Sequence, residues 1–170
     1  MRITFALFLC LLTTVVVYSQ KKLKYDIRDA GDTLFYTSEE KIYNKPGNAK
    51  SVGEYLKTSI YKNGNNVRLC LSIQTGRTSV FTIREGSSAE IKLTDGNTIT
   101  LYCSANQSSK ATISYYGCYI FGFYKLSPSV VQQLKSSQVS SITVNASIGI
   151  MEYEIRDKFS ETLSEQLSRF

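Results

Sequence analysis

The chain has 170 residues, with 20 lysines and arginines against 14 aspartates and glutamates, a formal net charge of +6, four cysteines and no histidine. The missing histidine removes Ser-His and Cys-His nucleophile pairs and the commonest transition-metal ligand. The basic excess is not gathered into the stripe of a nucleic-acid binder, so neither a nucleic acid nor a cofactor is expected.

The first residues are MRITFALFLCLLTTVVVYSQ, with Arg2 ahead of an uncharged apolar run from Phe5 to Val17. This reads as a secretory signal peptide over 1–19, cleaved after Ser19. The run is well short of the roughly 20 residues of a spanning helix, so no transmembrane segment is expected once the signal is removed. Cys10 leaves with it. Leu7, Phe8 and Leu9 in front of Cys10 lack the small residues of a lipoprotein site. The next stretch, 20–33, is polar and is expected to be a flexible segment ahead of a single domain over 34–170, long enough to bury a core without disulfides.

Strand-like segments with clear turn signals follow. Residues 54–62 (EYLKTSIYK) and 67–75 (VRLCLSIQT) flank Asn63-Gly64-Asn65-Asn66, a composition that suits a hairpin with positive φ. In the second, Val67, Leu69, Leu71 and Ile73 share one face and Arg68, Cys70, Ser72 and Gln74 the other, the alternation of a half-buried strand. Residues 80–85 (VFTIRE) predict a further short strand. Residues 89–94 and 98–104 pair across Asp95-Gly96-Asn97, and Ala89, Ile91, Leu93, Ile99, Leu101 and Cys103 all point to the core side.

The stretch 113–130, ISYYGCYIFGFYKLSPSV, is the most aromatic of the chain. A strand running through all of it would be overlong, which places a bulge or turn at Gly117. Beyond Gly117 both faces are apolar, Tyr119, Phe121 and Phe123 alternating with Cys118, Ile120 and Gly122. That predicts a central strand beneath a helix, with most of the rings in the core. Ser127 as N-cap, Pro128 at the first helical position and a Leu126/Val131 staple predict a short helix to about 136. A last hairpin over 139–145 and 149–155 follows, with Val144, Met151, Tyr153 and Ile155 inward. From 156 the period becomes helical through Phe159, Leu163, Leu167 and Phe170. The expected fold class is α+β: an antiparallel β-sheet of about six to eight strands packed by a C-terminal amphipathic helix, with a short helix before the last β-hairpin.

Three cysteines remain after signal removal. An odd count allows one bridge and one thiol, and the expected disulfide joins Cys103 to Cys118, each in or beside a β-like segment; the alternative is three buried small hydrophobes. Cys70 is either a thiol activated by Arg68 or a thiol buried beneath the closing helix, and burial is the expected state of a free cysteine.

The succession of the leader, KLTDGNTITL, YKLSPSVVQQLKSS, VSSITVNASIGIMEYEI and a closing helix resembles a group of small uncharacterised exported proteins of Bacteroidota. The resemblance implies a place in the periplasm, at the cell surface or outside the cell, and brings no catalytic residue. Asp32-Thr33-Leu34 resembles the short O-glycan acceptor pattern of exported proteins of that group, which makes Thr33 an O-glycosylation candidate. Asn106-Gln107-Ser108 and Asn145-Ala146-Ser147 fit the N-glycosylation pattern, relevant only in a eukaryotic secretory pathway.

The leading functional expectation is a non-catalytic exported module that contacts another envelope protein or an extracellular ligand. The alternative is a glycan-binding module that stacks sugars on Tyr115, Tyr116 and Tyr119, of which Tyr115 and Tyr116, next to the break at Gly117, are the rings expected to be displayed. Third comes a histidine-free hydrolase working with carboxylates, either Asp26, Asp29 and Asp32 or Glu152 with Glu154. The last two share the outer face of a strand and are more simply a solvated surface.

Overall fold

A computed structural model describes residues 23–27, 33–48, 52–77, 79–112 and 117–170. The signal peptide expected over 1–19, Asp29, Asp32, Tyr115 and Tyr116 lie outside the described residues. In chain order the strands are β1 (Lys24–Ile27), β2 (Thr33–Tyr36), β3 (Glu40–Lys45), β4 (Glu54–Asn63), β5 (Asn66–Thr75), β6 (Thr82–Ile83), β7 (Ser88–Leu93), β8 (Thr98–Tyr102), β9 (Gln107–Ser108), β10 (Lys110–Ala111), β11 (Cys118–Leu126), β12 (Val139–Ala146) and β13 (Gly149–Glu154). Helix α1 (Pro128–Lys135) precedes β12, and a 3-10 turn (Asp157–Phe159) and helix α2 (Thr162–Leu167) close the chain. The antiparallel sheet, the helix before the last hairpin and the C-terminal helix are as expected. The balance is corrected: the helices are few and short, and the chain is more all-β than α+β.

The strands form two main sheets instead of one. Seven make a sheet ordered β1-β2-β4-β5-β11-β10, with β3 also paired to β4; four make a second ordered β13-β12-β7-β8; β6 and β9 form a small ribbon. Turn chemistry explains the hairpins. Gly64 takes φ +54 in the two-residue loop closed by Asn63 and Asn66. Gly96 takes φ +90, and the Asp95 carboxylate accepts from the backbone N–H of Asn97 at 2.9 Å. Of the strand expected over 80–85 only Thr82–Ile83 pairs, with β9. Part of the segment expected to be flexible is a strand, since β1 pairs with β2 along its whole length.

One apolar cluster joins both sheets. Leu56, Ile60, Leu69, Leu71, Ile73, Ile120 and Tyr124 come from the larger sheet; Ile91, Leu101, Ile142 and Val144 from the smaller; Leu134, Leu163 and Leu167 from the helices. Met151, Tyr153 and Ile155 join it as expected. Helix α1 is capped by Ser127, whose Oγ accepts from the Val130 N–H at 3.3 Å. Helix α2 is pinned through Gln166, fully buried, whose Nε2 donates to the Thr58 carbonyl at 2.9 Å while Thr58 Oγ1 donates to its Oε1 at 2.9 Å. Thr58 belongs to the same face of β4 as Leu56 and Ile60. The closing helix therefore covers the core face of the sheet and leaves the Cys70 face alone, which corrects the expectation that Cys70 lies beneath it.

The expected break near Gly117 is present. Thr112 donates to the Gly117 carbonyl at 2.8 Å, and Ala111 pairs with Cys118. A side chain at Gly117 would collide with Val52 and with the Thr75 carbonyl. No helix among the described residues is long and apolar enough to cross a membrane.

Candidate functional site

The expectation that β11 is a central strand is corrected: it is next to last in the larger sheet, between β5 and the two-residue β10, and its two faces differ. Cys118, Ile120, Gly122, Tyr124 and Leu126 are buried toward the core; Tyr119 and Phe123 are half-buried and Phe121 and Lys125 exposed on the opposite side. The reading that most of these rings lie in the core is corrected: Tyr124 is the core ring of β11, and Tyr119, Phe121 and Phe123 stand on the outer face. Tyr124 turns inward because it shares the parity of Ile120 and Leu126, and Gly122 leaves room for its ring, since a Cβ there would sit 2.8 Å from it. The space under Gly122 is the seat of that ring.

Register then assembles the outer face row by row. Tyr36, Tyr61, Arg68 and Lys125 stand opposite one another across β2, β4, β5 and β11; Ser59, Cys70 and Phe123 form the next row; Lys57, Ser72 and Phe121 the third; Tyr55, Gln74 and Tyr119 the fourth. Rings from different strands meet. Tyr36 and Tyr61 stack at 5.7 Å, Tyr61 meets Phe123 edge-on at 5.9 Å, and Tyr119 meets Phe121 edge-on at 6.0 Å. Lys57 Nζ lies 4.9 Å from the Tyr55 ring centre and pairs with Glu39 at 3.0 Å. Between the rings the small side chains of Ser59, Cys70 and Ser72 form a buried floor.

At the Tyr61 end this face deepens into a groove of about 500 Å³, within the ~300–1,000 Å³ of small-molecule sites. Tyr61, Phe123 and Leu34 wall it, Arg68 reaches it from β5, and the amides of Asn63, Asn66 and Gln107 line it. Among the described residues no carboxylate pairs with Arg68 or Lys125. The groove is thus aromatic and amide-rich, with Arg68 as the charged residue of its lining, while Asp26 of β1 stands opposite Leu34 in the strand register.

Cys70 is 1 % exposed at the floor. Burial pushes its thiol up to about 12, Glu39 adds to the rise, and a hydrogen bond with Ser59 opposes it only in part. Such a thiol stays protonated at neutral pH, so the activation by Arg68 weighed from sequence is not what the site provides. Burial also raises the Tyr61 hydroxyl above its ordinary value, with Cys70 adding to the shift.

The remaining candidates are dispersed. Cys103 and Cys118 are buried free thiols. Cys103 lies opposite Tyr124, six residues along β11 from Cys118, a separation of about 20 Å at the rise of a strand. A disulfide needs Cα atoms within about 7 Å, so the Cys103–Cys118 bridge is not made. Each thiol instead donates to a carbonyl, of Ala105 at 3.1 Å and of Ser79 at 3.7 Å. Thr33 opens β2, half-buried, opposite Ile27. Glu152 and Glu154 are exposed on β13 and alternate with buried Met151 and Tyr153, a solvated face of the smaller sheet. Among the described residues no group of three or more potential ligands could hold a metal ion.

Of the predicted stacking residues, only Tyr119 belongs to the described face. Sequence reasoning missed Tyr36, Tyr55, Tyr61, Phe121 and Phe123, and Arg68 as their partner. A signal was present: Lys125 shares its parity with Tyr119, Phe121 and Phe123, whereas Leu126 shares that of Ile120 and Tyr124. No family model, curated protein or solved structure matches the chain.

Proposed function

We propose that the chain is a non-catalytic binding module, exported to the cell envelope or beyond, whose ligand docks on the aromatic outer face of the seven-stranded sheet. The observation that carries the reading is the displayed ring set, with Phe121 36 % exposed, in rows that include Arg68 and Lys125. Rings packed against one another on a rigid sheet give up little side-chain freedom when a ligand arrives, which favours binding. Export rests on the apolar leader over 1–19, and the likeness to small exported proteins of Bacteroidota supports it.

A photo-crosslinking residue at position 121, compared with one at Ile150, tests the docking face. Ile150 is 71 % exposed on the other sheet. Adducts formed in the native envelope at 121 and absent at 150 support the proposal; adducts at 150 alone overturn it. Recovery of a mature chain beginning at Gln20 checks export. Saturable turnover of a hydrolase substrate, abolished by Glu152→Gln or Glu154→Gln, would refute the non-catalytic reading.

A further inference from the structure

We infer that the groove beside Tyr61 and Phe123 binds an acidic oligosaccharide, with a carboxylated or sulfated sugar held by Arg68; this rests on the proposed docking face and names its ligand class. Three features of the groove converge on that chemistry. The Tyr61 and Phe123 rings meet edge-on at 5.9 Å, and Tyr36 stacks behind Tyr61, so the wall is apolar and fixed. A pyranose offers such a wall its C–H face, while its rim of hydroxyls needs donors and acceptors.

The amides of Asn63, Asn66 and Gln107 supply both within the same groove. Each amide donates two hydrogen bonds and accepts others, which matches a hydroxyl better than it matches an apolar group. Two of the three amides flank the β4–β5 turn at Asn63 and Asn66, directly paired with each other. A rigid two-residue hairpin therefore positions them.

Charge selects among sugars. Arg68 is exposed, opposite Tyr61 on one side and Lys125 on the other, and among the described residues neither cation is paired with a carboxylate. Lys57, farther along the face, is already held by Glu39 at 3.0 Å. An open guanidinium beside a second cation matches a carboxylate or sulfate, which it engages through two parallel N–H donors. A neutral sugar would use the rings and amides and leave this charge idle.

The test is binding of the purified full chain to uronate-containing, sialylated and sulfated oligosaccharides, each beside its neutral counterpart, with a single-stranded oligothymidylate of equal charge as control. At least one acidic sugar should bind tenfold or more tightly than its neutral counterpart. Arg68→Gln should remove about tenfold of that preference, without changing the thermal midpoint, and Phe123→Ala should weaken the acidic and neutral sugars alike. Equal binding of acidic and neutral sugars, or equal binding of the oligothymidylate, overturns the inference while leaving the aromatic docking face in place. Failure of every sugar, together with envelope crosslinks at 121, also overturns the inference alone. If nothing binds and no crosslink forms at 121, both readings fall.

Discussion

The two faces of the seven-stranded sheet are built from the same strands, yet they differ in what they carry. On one, Leu56, Ile60, Leu69, Leu71, Ile73 and Ile120 are buried against the second sheet and the helices. On the other, Tyr61, Phe121 and Phe123 stand among Arg68, Lys57 and Lys125. Aliphatic side chains fill the closed face, whereas the open one uses rings, which can stay partly wet and still pack against each other. The mixture of rings with cations, more than the rings themselves, marks the displayed face.

Truncations on the closed and open faces should differ widely in their cost. Leu71→Ala removes a fully buried side chain and should cost about 2–5 kcal/mol in urea unfolding. A loss no larger than that of a surface substitution would mean that the closed face is not the core.

A second contrast is chemical. Cys70 lies on the open face but is buried, and its thiol is raised from 9.0 to about 12. Below pH 9 the thiol is protonated in both states and its contribution is complete. Between 9 and 12 the unfolded chain releases the proton that the folded chain retains, so stability falls as pH rises. Urea midpoints should decline across this window, and less steeply in Cys70→Ala; the same slope in both would remove Cys70 as a cause. Native Cys70 should also resist thiol reagents at neutral pH until the chain unfolds.

Gly122→Ala intrudes on Tyr124 at 2.8 Å and should destabilise by about 1–3 kcal/mol. Should the variant be as stable as the parent, the assignment of Tyr124 to the space beneath Gly122 would be wrong. A smaller effect of opposite sign is expected at the same ring. The Tyr124 hydroxyl is buried with no hydrogen-bond partner among the described residues, so Tyr124→Phe should raise stability by up to about 1 kcal/mol. Calorimetry showing a clear loss would reveal a partner for that hydroxyl. Smallest of all on stability is Phe121→Ala, about 1 kcal/mol or less, while ligand capture by the open face should be lost; intact capture would move the docking surface elsewhere.

Much of the local structure was legible in the sequence because its causes are local. The Asn63–Asn66 turn, the Asp95-Gly96 hairpin, the Ser127-Pro128 helix start and the inward Met151, Tyr153 and Ile155 each follow from a turn residue, a cap or a period of two. The site was less legible. Tyr36, Tyr61 and Arg68 are separated in the chain and become neighbours through the register of β2 against β4 and β4 against β5.

Local signals sufficed for the β4–β5 and β7–β8 hairpins, the alternation along them and the cap of α1, because glycine φ, proline geometry and side-chain period act within a few residues. Strands β1, β2 and β3, which lack such signals, went unread. The sequence also supplied the leader on which the proposal of export rests. Which apolar face of β11 is closed was fixed by packing across the fold. That choice depends on what packs opposite: Gly122 leaves room for Tyr124, and Gln166 fastens α2 to Thr58 on the same side. The same long-range register keeps Cys103 and Cys118 apart as free thiols and lines up rings from three strands beside Arg68, which no carboxylate pairs among the described residues.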